Sequence, residues 1–346
     1  LVSNNFEISY GLGDLTITSA ELTIKADDKA ITYGEAPIFT RTISGYQYED
    51  NDSIVIAAEP EYLLISSGND TVSPADLIPG QYTIVPNGAV LNQPADYLIN
   101  YENGILTVGK AELQITANDT SRLYGEANPV FTLSFDGFIG DDDASDIVLP
   151  EATTSADEFS PVGIYPIVLS GGSSDLYDLI FIDGELNITQ APLYATADNQ
   201  TRKYGENNPA FTITYDGFKN NDDVSDITEP SASCSADAFS NVGLYPIELN
   251  GGAATNYILY LTNGELEVTQ ASLIITAHNK SRVYGSGNPA FTYSITGFVN
   301  NEGPSSVAVP VLTTTATISS NVGFYPITIS IAPSLNYSFQ LVNGTL

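Results

Sequence analysis

Acidic residues form two clusters whose oxygen atoms could bind a hard cation. They are Asp141, Asp142, Asp143 and Asp146 in the first cluster and Asp222, Asp223 and Asp226 in the second. Calcium takes about six to eight oxygen ligands, which the carboxylates and carbonyls of such a loop can supply. The clusters are therefore candidate Ca²⁺ sites. A solvated acidic turn is the favoured interpretation, because the spacing fits no EF-hand loop and the last repeat has lost most of the charge.

Residues for catalysis are scarce in this chain. It has one histidine, His278, and one cysteine, Cys234. This excludes a structural zinc site, thiol–histidine catalysis and an intrachain disulfide. His278 aligns with polar turn residues of the other repeats, and Cys234 aligns with threonines at a β position. We therefore predict no catalytic residue and no enzymatic activity.

These candidate residues belong to a unit that recurs every 80 residues. An Asn-Gly or Asp-Gly pair recurs at Asn103-Gly104, Asp183-Gly184, Asn263-Gly264 and Asn343-Gly344. A Tyr-Gly pair, followed by Asn-Pro, keeps the same period at Tyr124-Gly125, Tyr204-Gly205 and Tyr284-Gly285. A fixed period indicates one supersecondary unit copied in tandem.

The markers divide the chain into four repeats and a leading tail. We assign residues 1–20 to the tail of a preceding repeat, residues 21–110 to repeat 1, and residues 111–190 and 191–270 to repeats 2 and 3. Residues 271–346 form a truncated repeat 4, so we expect the chain to be a segment of a longer polypeptide. Repeat 1 carries an insertion, Ala57 to Asp76.

Composition limits the kinds of partner. The chain has 42 acidic and 10 basic residues, a formal net charge of −32, and 42% hydrophobic residues. That apolar content indicates a folded protein with an acidic surface. The shortage of Lys and Arg argues against nucleic acid as a partner. No apolar run approaches the ~20 residues of a membrane span, so we expect no membrane insertion.

Each repeat has the pattern of β-strands. Apolar residues alternate with polar ones at Phe131, Leu133 and Phe135, as in a half-buried strand. The segment Tyr97–Tyr101 and the segment from Gly104 to Val108 are predicted to form a hairpin, because Asn-Gly suits a type I′ turn. The predicted fold is all-β: a tandem array of small Ig-like β-sandwiches of about 80 residues.

Short joints separate the predicted repeats. Only Thr189, Gln190, Ala191 and Pro192 lie between the predicted last strand of repeat 2 and the first strand of repeat 3. No joint is a flexible Gly/Ser linker. We therefore expect neighbouring repeats to be partners of one another in a stiff or semi-stiff rod. Arg122, Arg202 and Arg282, two residues before each Tyr-Gly, are predicted to form ion pairs within their own repeat.

The motifs together resemble a known family. Tyr-Gly-x followed by Asn-Pro-x-Phe, then Val-Gly-x-Tyr-Pro, Asn-Gly-x-Leu and a terminal Val-Thr-Gln-Ala resemble the MBG repeat, YGX type. That family occurs in tandem in large secreted and surface proteins, often adhesins, of Bacteroidota and related bacteria. The resemblance implies an extracellular or cell-surface location, gliding-associated or adhesive proteins, and type 9 secretion. It implies no catalytic residues.

Two functions follow from these observations. The first is a non-catalytic stalk of a bacterial surface or secreted adhesin, which projects a distal binding region. The alternative is a ligand-binding β module, in which repeat 1 and its insertion recognise a glycan or a protein. Further partners under either hypothesis are surface glycans, a host or neighbouring cell surface, and the secretion machinery.

Overall fold

β-Strands are almost the only regular secondary structure among the described residues. The computed structural model describes residue 11 and residues 13–346, so most of the predicted leading tail lies outside the described residues. Alternation explains the strands: Leu193 and Ala195 in the opening strand of repeat 3 are fully buried, while Tyr194 between them is exposed. Apolar side chains at every second position form one buried face.

Repeat 1 contains ten strands, a short helix α1 (Asp52–Val55) and a 3₁₀ turn (Pro74–Asp76). The strands are β1 (Ala20–Ala26), β2 (Lys29–Thr32), β3 (Arg41–Ser44), β4 (Ile56–Ala58), β5 (Glu61–Ile65), β6 (Thr71–Val72), β7 (Gly80–Asn87), β8 (Val90–Leu91), β9 (Tyr97–Glu102) and β10 (Gly104–Gly109). The predicted insertion supplies β5 and β6, so part of it is sheet.

Repeats 2 and 3 have seven strands each. In repeat 2 they are β11 (Ala111–Ala117), β12 (Thr120–Leu123), β13 (Leu133–Asp136), β14 (Glu151–Thr153), β15 (Gly163–Ser170), β16 (Tyr177–Ile182) and β17 (Gly184–Thr189). In repeat 3 they are β18 (Ala191–Ala197), β19 (Gln200–Lys203), β20 (Ile213–Asp216), β21 (Ser231–Cys234), β22 (Gly243–Asn250), β23 (Tyr257–Thr262) and β24 (Gly264–Thr269). Their 3₁₀ turns are Ala144–Asp146 and Val224–Asp226.

Repeat 4 has six strands among its residues. They are β25 (Ala271–Ala277), β26 (Tyr293–Thr296), β27 (Val311–Thr314), β28 (Pro326–Ser330), β29 (Tyr337–Val342) and β30 (Gly344–Thr345). A 3₁₀ turn spans Pro304–Ser306. The longest helix of the described residues has four residues, so none of them could form a membrane-spanning helix.

The chain divides into two compact units, and the boundary between them runs through repeat 2. The first holds the chain up to Thr120 together with Val130–Ser155 and Tyr165–Leu186. The second holds Ser121–Pro129, Ala156–Ile164 and Asn187–Leu346. Each unit contains one complete repeat, repeat 1 in the first and repeat 3 in the second, and each contains strands of repeat 2.

Repeat 3 shows the topology of a complete unit. One sheet has the order β20-β18-β23, and the other has the order β19-β24-β22-β21. β18 pairs antiparallel with β20 and parallel with β23. Leu193, Ile247 and Leu266 are fully buried in its core. The all-β fold class, with small two-sheet sandwiches in tandem, is confirmed.

The predicted Asn-Gly hairpin is wrong. β9 pairs with β1 in one sheet, whereas β10 pairs with β2 and β7 in the other. The chain thus crosses between sheets at Gly104, whose φ lies outside the left-handed region. A Cβ on Gly104 would lie 2.5 Å from Ala26 O. No turn with positive φ forms at this glycine. Glycine is needed instead because a side chain at this position would clash with the backbone of Ala26.

Candidate functional site

The tyrosine of each Tyr-Gly pair contacts the following repeat. Its hydroxyl donates to a carboxylate in the loop just before that repeat's 3₁₀ turn: Tyr33 to Asp142 at 3.0 Å, Tyr124 to Asp222 at 3.0 Å, and Tyr204 to Glu302 at 2.5 Å. The first contact lies within the first unit, and the other two lie within the second. The joint between repeats is therefore the candidate functional site.

A second tyrosine donates to the same carboxylate from within the following repeat. These bonds are Tyr177 to Asp142 at 2.5 Å, Tyr257 to Asp222 at 2.6 Å, and Tyr337 to Glu302 at 2.7 Å. We call the carboxylate with its two tyrosines the clasp. A carboxylate that accepts two hydroxyl hydrogen bonds makes stronger bonds than a neutral acceptor would.

The two tyrosines of each clasp also pack edge to face. Their ring centroids lie 5.7 Å apart for Tyr33 and Tyr177, and 5.5 Å apart for Tyr124 and Tyr257, with interplanar angles of 89° and 85°. Such pairs contribute about 0.5–1.5 kcal/mol beyond burial of area. Tyr204 and Tyr337 belong to one hydrophobic cluster, so repeats 3 and 4 share a core.

The contact with the next repeat leaves room only for glycine after the tyrosine. Gly34 has a φ of +87°, and a Cβ there would lie 2.5 Å from Ile139 Cγ2 in repeat 2. Gly125 has a φ of +77°, and its Cβ would lie 2.5 Å from Lys219 Cβ. Both the left-handed backbone and the approach of the next repeat therefore favour glycine.

Repeat 4 shows the same motif without a following clasp in this chain. Tyr124 and Tyr204 are each 4% exposed, whereas Tyr284 is 62% exposed. A Cβ on Gly285 would meet nothing within 4 Å, although its φ is +80°. Burial of the Tyr-Gly pair thus accompanies docking onto the next repeat.

Burial and the carboxylate both raise the pKa of the clasp tyrosines. Burial, and then the hydrogen bond to Asp142, raise the pKa of Tyr177 to about 12. Burial, and then the hydrogen bond to Glu302, raise the pKa of Tyr337 to about 12 as well. The pKa of Tyr257 rises in the same way beside Asp222. The tyrosines are therefore neutral donors at neutral pH.

Polar side chains add further contacts to the joint between repeats 2 and 3 and to the joint between repeats 3 and 4. Asn220 and Asn300 adopt left-handed backbone conformations, with φ of 54° and 55°. Their amides donate to Glu158 O and Ala238 O respectively, both at 2.8 Å. The amide of Gln190 donates to three carbonyls of repeat 3, each at 3.1 Å. Hydrogen bonds other than those of the clasp therefore also stabilise these joints.

The buried arginines support the Tyr-Gly loops. Nε of Arg122 donates to Asn128 Oδ1 at 2.7 Å, and its terminal nitrogens donate to Leu123 O and Asp157 O. Arg202 makes the equivalent bonds in repeat 3. The predicted ion pairs are wrong for these two arginines, since carbonyls and an amide, rather than carboxylates, accept from the guanidinium.

The aspartates predicted to bind calcium have two structural roles. Asp142 and Asp222 belong to clasps. Asp143 caps the 3₁₀ turn by accepting from Ser145 N at 2.7 Å, and Asp146 accepts from Asp143 N at 2.8 Å. Asp223 and Asp226 repeat this capping box in repeat 3.

The pKa values of the capping aspartates reflect this role. The hydroxyl of Ser145 lowers the pKa of Asp143, and Ser225 does the same for Asp223. Asp141 is exposed. Within residues 13–346, no three His, Cys, Asp or Glu side chains are placed to hold a metal ion. Calcium binding stays a prediction.

The remaining candidates for chemistry lie at ordinary positions. His278 is exposed, and its Nδ1 lies 3.0 Å from Thr292 Oγ1. Cys234 ends β21 and is half-buried against the core of repeat 3.

Sequence reasoning missed the clasp as a contact between repeats. It treated the Tyr-Gly pairs only as markers of the repeat and assigned the aspartates to a metal site. One signal could have found it: positions 142, 222 and 302 stay acidic at a spacing of 80, whereas Asp143 and Asp146 correspond to Gly303 and Ser306. Retention of charge at one position indicates a specific acceptor.

Fold and joint define a class: a tandem array of β-sandwich repeats, each docked on the next through a Tyr-Gly pair. The model of one family matches most of this chain, at residues 22–107, 113–187, 193–267 and 273–346. The chain belongs to the MBG domain family, YGX type.

Other comparisons give more distant likenesses. No curated protein matches the chain. The I9–I11 tandem of titin is 11% identical, covers 73% of this chain and 98% of its own, and has a TM-score of 0.21. Drosophila N-cadherin EC1-4 is 10% identical, covers 89% and 95%, and has a TM-score of 0.19. The four N-terminal Ig domains of Dscam1 are 13% identical, cover 74% and 75%, and have a TM-score of 0.20.

Proposed function

We propose that this chain is a non-catalytic stalk segment of a large bacterial surface or secreted adhesin. The observation that carries the proposal is the recurrence of the same clasp at three successive joints. A joint with fixed bonds and a shared core orients one repeat on the next. Orientation of that kind lets an array set the distance between a cell and a distal binding region.

Charge supports the same function. A net charge of −32 favours solubility and opposes association between stalks. An extracellular location, gliding-associated proteins and type 9 secretion belong to this proposal through the family resemblance. Adjacent repeats are partners of one another within the chain, and the proposed external partners are surface glycans, a neighbouring or host cell, and the secretion machinery.

Small-angle scattering on the chain tests the stalk. A compact protein of 346 residues has a radius of gyration of about 20 Å. Four globules of ~30 Å in a line would give roughly 35 Å or more. We expect the larger value. A value near 20 Å would mean that the repeats pack side by side, and the stalk proposal would fail.

A second candidate function rests on repeat 1. Tyr48 has a φ of 55°, where repeats 3 and 4 have Asn220 and Asn300, and its side chain is fully exposed. A bulky residue in the left-handed region is strained, and such strain concentrates at functional sites. An aromatic ring is suited to stacking on a sugar. Since Asn220 and Asn300 contact the preceding repeat, this candidate requires that Tyr48 stay free of such a contact.

Binding measurements separate this candidate from a bare stalk. The chain would be applied to a glycan array beside a Tyr48→Asn variant, which installs the residue of repeats 3 and 4. We expect binding that the variant loses. Leu64 faces the core of repeat 1, so the insertion offers less of its apolar surface to a ligand than its sequence indicates. Absence of binding by the unmodified chain would rule out glycan recognition.

A further inference from the structure

The first two and the last two strands of repeat 3 run side by side in the same direction. β18 pairs with β23 from Ala191↔Tyr257 to Thr196↔Thr262. β19 then pairs with β24 from Gln200↔Leu266 to Lys203↔Thr269. Both pairings are parallel and have the same offset of 66 residues. The two pairings together form one continuous parallel ladder. Halfway along it, the chain passes from one sheet to the other between β18 and β19, and again between β23 and β24.

Side chains close the gap where the strands change sheets. Asn199 Oδ1 accepts from Glu265 N at 2.8 Å, again at an offset of 66. In repeat 1 the same position is held by Asp28, which accepts from Ile105 N at 2.9 Å. The parallel ladder of repeat 1 has a constant offset of 77. Both complete repeats therefore keep the ladder bonded across the crossing.

The ends of the ladder coincide with the ends of the repeat. A single residue, Gln190, separates β17 from β18, and a single residue, Gln270, separates β24 from β25. Tension along the chain would therefore enter repeat 3 at Ala191 and leave it at Thr269. Because the two strands are parallel, these points lie at opposite ends of the ladder.

This geometry decides how tension acts on the hydrogen bonds. Pulling parallel strands from opposite ends slides one along the other, so all the ladder bonds carry the load together. An antiparallel pair pulled from one end instead opens one bond at a time. The β21–β22 pair of the same sandwich is antiparallel and lies outside the load path between Ala191 and Thr269.

We propose that each complete repeat is a force-bearing clamp, in which the parallel ladder of its terminal strands resists unfolding under tension. The inference deepens the proposed stalk function and rests on it for its biological meaning. A stalk that links a cell to a surface must transmit load without lengthening.

Repeat 4 provides an internal contrast. β25 and β29 form the first half of the ladder, from Ala271↔Tyr337 to Thr276↔Val342. The second half is limited, among the described residues, to the bond from Lys280 N to Thr345 O at 2.9 Å and the bond from Thr345 N to Asn279 Oδ1 at 2.8 Å. Repeat 4 should therefore unfold first.

Single-molecule pulling of the whole chain by its two ends tests the clamp. Unfolding of repeat 1, from Ala20 to Gly109, releases ~320 Å of chain at about 3.6 Å per residue, and repeat 3, from Ala191 to Thr269, releases ~280 Å. The difference identifies the repeat 1 event in each trace. It then serves as the reference for variants in repeat 3.

Two proline variants separate mechanical from ordinary stability. Gln200→Pro removes a ladder N–H whose equivalent in repeat 4 is that of Lys280. Ser233→Pro places a proline in β21, outside the ladder. At constant force we expect Gln200→Pro to speed one ~280 Å event about tenfold, as expected for loss of one hydrogen bond. Ser233→Pro should leave all rates unchanged.

Further measurements keep the outcome decisive. Urea unfolding establishes that each variant is folded, and Asn199→Ala replaces Gln200→Pro if the proline prevents folding. Equal effects of the ladder and β21 variants on the rate would overturn the clamp. A compact radius of gyration with ladder-dependent rates would refute the stalk and leave the clamp. An extended shape, with equal effects of the ladder and β21 variants on the unfolding rate, would refute the clamp and leave the stalk.

Discussion

The clasp predicts an energetic coupling between Tyr124 and Asp222. Tyr124→Phe keeps the buried ring and its edge-to-face contact with Tyr257, and removes only the hydroxyl that donates to Asp222. A hydrogen bond to a charged acceptor contributes about 1.5–3 kcal/mol. Since Asp222 is half-buried, we expect a loss near or just below the lower end of that range, about 1–2 kcal/mol.

A double-mutant cycle isolates that contribution. In an Asp222→Ala background, the hydroxyl of Tyr124 has lost its charged acceptor and keeps only Asn220 and Asn256, so Tyr124→Phe should cost much less than in the unchanged chain. The coupling energy is then about 1–2 kcal/mol, which is within the range for residues in direct contact. The assay is equilibrium urea unfolding, analysed with nearest-neighbour terms between repeats.

Repeat 4 supplies the matched control. Tyr284→Phe makes the same change at the same position of the motif, but Tyr284 is largely exposed. Its effect should stay within about 0.5 kcal/mol, as for an ordinary surface substitution. Additive effects of Tyr124→Phe and Asp222→Ala, or an equal effect of Tyr284→Phe, would show that the clasp does not couple the repeats.

Three further changes test other parts of the joint and the loops. Gly205→Ala should destabilise the chain more than Gly285→Ala. Both glycines have positive φ, but only the Cβ at position 205 would meet Val299 of the next repeat. The midpoints of urea unfolding compare the two variants. The free energy of unfolding should be constant from neutral pH up to about 10, the pKa of an unfolded tyrosine, and should fall as pH rises through the native pKa of about 12 for Tyr177 and Tyr337. It falls because the native pKa is raised, so the unfolded tyrosines lose their protons first. Titration of all tyrosines near pH 10 would contradict this prediction. If the aspartate loops bind Ca²⁺, the ion should raise the melting temperature, because binding at a hundredfold excess over Kd stabilises the folded chain by about 2.7 kcal/mol. Asp141→Asn with Asp143→Asn should remove part of that rise, since the second cluster is unchanged, and no rise in millimolar Ca²⁺ would eliminate the site.

Periodicity predicted the repeats because it is a property of the chain itself. The alternation around Leu193 and Ala195 requires a strand with one buried face, and the structure has it. The Asn-Gly pairs misled the hairpin prediction because two different needs select glycine. One is a positive φ in a turn, and the other is a close approach of two backbones, as between Gly104 and Ala26.

The joint was harder to predict because its partners lie in different copies. Tyr124 and Asp222 are 98 residues apart, and an 80-residue period does not state which surface of one copy meets which surface of the next. Arg122 was assigned a carboxylate partner because it is charged. In the structure, backbone carbonyls and an asparagine satisfy it instead, which a local sequence pattern does not reveal.

The one-residue joints have a consequence for how such a protein changes length over evolution. One residue inserted beside Gln190 would either bulge out of the joint or turn every side chain of β18 to the opposite face of its sheet, so changes in joint length are disfavoured. Gain or loss of a whole 80-residue repeat preserves every face and, if the clasp residues are retained, every joint. Recombination between copies can therefore lengthen or shorten the protein in fixed steps, and each step yields an array that folds by the same rules.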